Sequence, residues 1–106
     1  QAKPADMAMR LEAARQLVWR APMAFDAEAK DTAKLASMCK CFAGDMVVYL
    51  TCEALQIHGG YGYSREYPIE KLYRDAKIFQ IFEGTNEIQR TIIAKNMVDE
   101  QRIVTR

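Results

Sequence analysis

Apolar residues recur every three or four positions along most of this chain, which is the period of an α-helix rather than of a strand. From about Ala5 to Phe25 they fall at Met7, Leu11, Ala14, Leu17, Val18, Ala21 and Phe25, giving one wide apolar face. Pro22 lies inside that pattern, and because the spacing resumes at Phe25 a kinked helix is expected rather than two. A second helix is expected from Thr32 to His58, with Asp31 or Thr32 able to cap its start. Leu35, Met38, Phe42, Met46, Tyr49 and Leu55 repeat along it at helical spacing, and its length is about 40 Å. Gly59 and Gly60 then end it, where a left-handed cap favours glycine.

A loop is expected from His58 to Pro68. Pro68 can open a short third helix covering Ile69 to about Ala76. The apolar run Ile78 to Phe82 is compatible with either helix or extended chain. Glu83, Gly84, Thr85 and Asn86 break the pattern, and a further helix starts with Thr85 or Asn86 as cap. This last helix is expected to carry Ile88, Ile92, Ile93, Met97 and Ile103 inward. No segment reads as a strand, and no internal repeat or low-complexity tract is present. The reading is all-α, an up-down four-helix bundle with an extra short helix, joined by short connections.

Composition narrows the function only by exclusion. At 106 residues the chain holds one small core. Its net charge of +1, with acids and bases interspersed, favours neither nucleic acid nor an anionic membrane surface. No continuous apolar run approaches the roughly 18 residues that read as a transmembrane span, and no secretory signal pattern opens the chain. The sequence begins at Gln1 within a helical pattern, which reads as a piece of a longer protein. Cys39, Cys41 and Cys52, with the single His58, suit neither a disulfide framework nor a zinc site. They are expected to be buried or half-buried free thiols in a reducing compartment, and no metal ligands are assigned.

Candidate chemistry concentrates near two breaks in the pattern. The loop Gly59-Gly60-Tyr61-Gly62-Tyr63 lets a backbone approach a ligand closely. It follows a helix, however, and lacks the preceding strand of a dinucleotide fingerprint, so a tight turn is the plainer reading. His58 has no neighbouring nucleophile, and a structural or backbone-contacting role suits it best. Glu83 follows four large apolar residues and precedes a helix start. Apolar walls there would desolvate the carboxylate and make it a better proton acceptor. A capping-region acid that favours the helix dipole remains the alternative.

Several ordered motifs then act together. Gln56-Ile57-His58-Gly59-Gly60-Tyr61-Gly62-Tyr63, Glu66-Tyr67-Pro68, Tyr73 to Ile78, and Ile81-Phe82-Glu83-Gly84-Thr85-Asn86-Glu87-Ile88-Gln89-Arg90 resemble the carboxy-terminal domain of acyl-CoA dehydrogenases. Asp6-Met7-Ala8 and Ala43-Gly44-Asp45 extend the match over essentially all of residues 1–106. The resemblance implies a fragment lacking the amino-terminal helical and middle β domains of a homotetrameric FAD enzyme. That enzyme converts an acyl-CoA thioester to the trans-2-enoyl-CoA and passes electrons to an electron-transfer flavoprotein, in the cytoplasm or the mitochondrial matrix.

By the same resemblance, Glu83 takes the α proton, and Gly84 with the Glu83 amide lies where the thioester carbonyl is polarised. Phe82 lines the substrate cavity. Gln56, Ile57, His58, Gly59 and Gly60 contact the adenosine-diphosphate half of a neighbouring subunit's FAD, and Thr85, Asn86 and Glu87 approach FAD at the last helix. A glutamate before Gly-Thr argues against isovaleryl-type and long-chain-type members. An acyl-CoA oxidase or enoyl-CoA reductase of the same fold shares these residues, and a silent assembly module would need no carboxylate at position 83. Residues that select chain length and bind most of FAD lie upstream, so the fragment alone is expected to be inactive and colourless.

Overall fold

A computed structural model describes residues 2–105, with side-chain surroundings for 2–102. Gln1 and the Ile103 side chain, both named above, lie outside the described residues. Four α-helices form: α1 (Ala2–Asp26), α2 (Thr32–His58), α3 (Ile69–Ala76) and α4 (Asn86–Thr105). Short 3-10 turns at Gly59–Tyr63 and Lys77–Gln80 flank α3. The first is more regular than the expected loop, and the second makes the Ile78–Phe82 run mostly helical rather than extended. The described residues contain no strand.

The long apolar helix α2 is the axis of the bundle, and α1, α3 and α4 each pack against it. The result is elongated, 58 × 25 × 24 Å. Leu35 and Cys41 of α2 are buried with Ala14 of α1, Ile69 and Ala76. Small residues at Ala14, Gly44 and Ala76 let backbones approach closely. A methyl added at Gly44 would stand 2.7 Å from the Phe79 carbonyl oxygen, so only glycine admits the turn before Glu83 this close to α2.

Local chemistry differs from the expected caps at both ends of α2. Asp31 occupies the N-cap position without a side-chain cap bond, while the Thr32 hydroxyl donates backward to the Ala29 carbonyl at 2.7 Å. Gly59 does sit at positive φ, but its ψ of −142° takes it outside the left-handed helical basin. Pro22 is accommodated within an unbroken α1.

Two further expectations are corrected. Ile88, Ile92 and Met97 do not face a core: Ile88 and Met97 are more than half exposed. The reason is that, among the described residues, α4 packs chiefly on α2, and between α1, α2 and α4 an apolar groove of about 550 Å³ remains, lined in part by Leu17, Met38, Phe42, Met46 and Ile93. The segment Thr32–Tyr63 holds an 18-residue window of mean hydropathy 1.3, which meets the length and composition of a membrane span and no more than that. In this fold that apolarity serves three packing partners at once. Of the thiols, Cys41 is buried and Cys39 half-buried, and burial pushes both up from their ordinary range, which favours the unreactive thiol form. Cys52 is exposed, contrary to expectation.

Candidate functional site

The chain turns sharply between the second 3-10 turn and α4. Glu83 adopts φ 56° and Gly84 φ 86°. Glycine takes this conformation freely, whereas a residue with a Cβ is strained there by about 1–3 kcal/mol. Such strain persists only where the surroundings hold it, and it clusters at functional positions. Glu83 is exposed, and among the described residues its carboxylate has no hydrogen-bond or ion-pair partner. The expected apolar walls are therefore not supplied by this domain: Phe82 is itself 42 % exposed and stands edge-on to Phe79, ring centroids 5.2 Å apart. Phe82 and Phe79 line a groove of about 300 Å³ with Ala43, Gly44 and Val47, and Lys40 stands at the same groove.

Beneath the turn lies a polar network that periodicity does not reveal. Asn86, the first residue of α4, is 2 % exposed. Its amide nitrogen donates to the Cys41 carbonyl at 3.1 Å and to Asp45 Oδ1 at 2.7 Å. Gln80 donates to the same Asp45 oxygen at 2.9 Å, and Arg90 pairs with Asp45 Oδ2. Desolvation raises the Asp45 carboxyl, but the hydrogen bonds from Arg90, Asn86 and Gln80 and the Arg90 charge outweigh it and hold the group below its ordinary value. Lys40 Nζ donates to Asn86 Oδ1 at 2.6 Å and to the Gly84 carbonyl at 2.7 Å. Every buried polar side-chain atom among the described residues has a partner, as a stable interior requires.

This arrangement sorts the residues expected near a cofactor. Thr85 caps α4, its hydroxyl accepting from the Ile88 amide at 3.2 Å, and Glu87 is exposed on the first turn. Asn86 turns its side chain into the network, its amide nitrogen donating twice and its oxygen accepting from Lys40. At the far end of α2, Gln56, Ile57, His58, Gly59 and Gly60 are exposed together. His58 Nδ1 donates to the Ala54 carbonyl at 2.7 Å, the backbone role expected of it. Nothing lies within 4 Å of where side chains at Gly59 and Gly60 would project, so an extended ligand can lie directly on this turn. The two groups sit at different places in the fold, and this chain does not bring them into contact.

Sequence reasoning passed over Lys40, Gln80 and Gln89. The usable signal was their setting: Lys40 and Asp45 interrupt an otherwise apolar stretch of α2, and such charges are kept inside a fold only when paired.

Comparison with known proteins bears directly on this arrangement. The family described as "Acyl-CoA dehydrogenase, C-terminal domain" matches residues 1–98. An acyl-CoA dehydrogenase of Bacillus subtilis is 53% identical over 96 residues, 91% of this chain and 25% of that protein. Cyclohexane-1-carbonyl-CoA dehydrogenase of Syntrophus aciditrophicus is 50% identical over 97 residues, 92% of this chain and 25% of that protein. The solved butyryl-CoA dehydrogenase of Megasphaera elsdenii superposes with a TM-score of 0.85 at 46% identity, covering 91% of this chain and 25% of that one. This chain thus spans about a quarter of the length of the relatives it matches. The helical architecture, the ordered motifs and these likenesses agree, and the chain belongs to the acyl-CoA dehydrogenase family through its C-terminal domain.

Proposed function

We propose that this domain supplies the α-proton acceptor for FAD-dependent dehydrogenation of an acyl-CoA thioester to the trans-2-enoyl-CoA, and that Glu83 is that acceptor. One observation carries the reading: an unpaired, exposed carboxylate is held on a strained backbone at the mouth of α4. Strain of this kind at a residue with no structural partner points to function rather than to folding.

In the reaction the α C–H bond breaks, its proton passes to the Glu83 carboxylate, and the electron pair delocalises toward the thioester carbonyl. The Glu83 amide and Gly84 present backbone close to where that charge develops, and the amino-terminal end of α4 adds its positive dipole. Phe82 offers an apolar wall beside the base. Bound FAD supplies the acceptor for the β-hydrogen with its electron pair. The bare Gly59-Gly60 turn fits a nucleotide lying across it, so Gln56, Ile57, His58, Gly59 and Gly60 would hold the adenosine-diphosphate half, with Thr85 and Glu87 approaching the cofactor from α4. The water-excluding walls around Glu83 then come from the remainder of the longer protein and the acyl chain itself. The large exposed apolar residues, among them Trp19, Met23 and Phe25, are surfaces suited to that packing and to a homotetramer. An electron-transfer flavoprotein is the proposed electron acceptor.

The test uses the full-length protein carrying FAD. Anaerobic mixing with straight and branched saturated acyl-CoA thioesters should bleach the visible flavin band with at least one of them. A flavin spectrum unchanged by the whole set would sink the reading.

A further inference from the structure

The left-handed backbone at Glu83 is not held by helix-ending backbone bonds among the described residues. The contrast is Glu28, the other non-glycine residue at positive φ (54°) among the described residues. There the Glu28 amide donates to the Phe25 carbonyl at 3.1 Å and the Ala29 amide to the Ala24 carbonyl at 2.9 Å, the paired bonds that end a helix on a left-handed residue. At Glu83 and Gly84 no backbone–backbone bond of that kind is made among the described residues. Their carbonyls are gripped by side chains instead. Lys40 Nζ, reaching from α2 across 44 positions of sequence, donates to the Gly84 carbonyl at 2.7 Å. Gln89 Nε2, from the first turn of α4, donates to the Glu83 carbonyl at 3.2 Å and lies 3.5 Å from the Gly84 carbonyl.

We propose that Lys40 and Gln89 are positioning residues: together they clamp the 83–84 peptide units in the left-handed turn and so aim the Glu83 carboxylate. The proposal rests on Glu83 being the α-proton acceptor. Three features support a clamp over a surface contact. The Lys40 bonds are charge-assisted and short, the strong kind of hydrogen bond. Lys40 is held in place by its second bond, to Asn86 Oδ1 at 2.6 Å, and Asn86 is the largest fully buried side chain among the described residues. Gln89 is buried as well, and a methyl added at Gly84 would stand 2.8 Å from Gln89 Nε2, so that amide closes over the turn. Backbone aim is thereby tied to the axis of the bundle rather than left to a mobile loop. A base displaced by about 1 Å from its reacting carbon loses on the order of 10²-fold in rate.

The experiment compares Lys40→Met and Gln89→Met with Glu83→Gln in the full-length flavoprotein. Anaerobic flavin bleaching and acyl-CoA affinity are measured separately. A clamp predicts that Lys40→Met slows bleaching by about 10²-fold, with flavin content and acyl-CoA affinity retained and the melting temperature lowered only as far as the orphaned Asn86 oxygen requires. The double variant should be no slower than the slower single one, because both side chains act on one turn. Wild-type bleaching by Lys40→Met, beside a Glu83→Gln protein slowed by about 10²-fold or more, would overturn the clamp and leave the base assignment standing. Wild-type bleaching by Glu83→Gln would remove the base assignment and the clamp with it. Where Lys40→Met fails to fold, Gln89→Met carries the same comparison. Loss of fold or flavin in both would assign the pair to stability and likewise overturn the proposal.

Discussion

Exchange of Glu83 for glutamine in the full-length flavoprotein is expected to slow flavin bleaching by saturated acyl-CoA by about 10²–10⁴-fold, the contribution of a positioned general base. Glutamine keeps the size and polarity of the side chain but accepts no proton at neutral pH. Acyl-CoA binding should persist, because Glu83 makes no bond among the described residues that its loss would break. Stopped-flow absorbance at the flavin band, read beside an equilibrium binding titration, separates the two effects. A parallel loss of binding would point to a positioning or structural role instead. The exposure of Glu83 in this domain sharpens the expectation. Among the described residues the Glu83 side chain is left exposed, so on this reading its power as a base depends on closure by the remaining domains and the acyl-CoA.

The second large effect concerns stability at the same turn. Asn86→Leu keeps the shape of a 2 %-exposed side chain but removes both its donors and its acceptor. The Cys41 carbonyl loses its side-chain donor, Asp45 loses one of its three, and Lys40 keeps only the Gly84 carbonyl. Each buried group left short of a partner costs about 1–3 kcal/mol. With the Cys41 carbonyl and Asp45 both left short of a donor, the start of α4 should loosen by about 3 kcal/mol, or on the order of 10²-fold in local opening. Native-state hydrogen exchange of the amides in the first turns of α4 reads this directly. Thr85→Ala provides the scale, because losing a cap alone costs about 1 kcal/mol. Protection factors unchanged by Asn86→Leu would show that the network contributes nothing net.

These two residues illustrate what the sequence carries openly and what it does not. Spacing places α2 at Thr32–His58 and α3 at Ile69–Ala76 because length, glycines at one end and proline at the other mark those helices sharply. The turn at Glu83 is legible too, since glycine followed by a capping threonine breaks the apolar pattern. The inward side of α4 is not. Apolar periodicity pairs Ile88 with Ile92 and Ile93 with Met97 along α4, but does not report what covers them, and among the described residues Ile88, Ile92 and Met97 stay exposed. The clamp is hidden for another reason. Lys40, Asp45 and Asn86 meet only through the packing of α2 against α4, and no local rule pairs residues more than 40 positions apart. Asn86 shows the same limit from the other side: its place in a family motif suggests a ligand, while its buried contacts tie it to the fold.

A structure of the full-length protein with FAD and an unreactive acyl-CoA analogue measures the decisive geometry. The account predicts a Glu83 carboxylate oxygen within about 3.5 Å of the analogue's α carbon, the separation of reacting atoms poised for transfer, with water excluded between them. A Glu83 side chain still turned to bulk solvent in that complex, while another carboxylate occupies the α carbon, would contradict it.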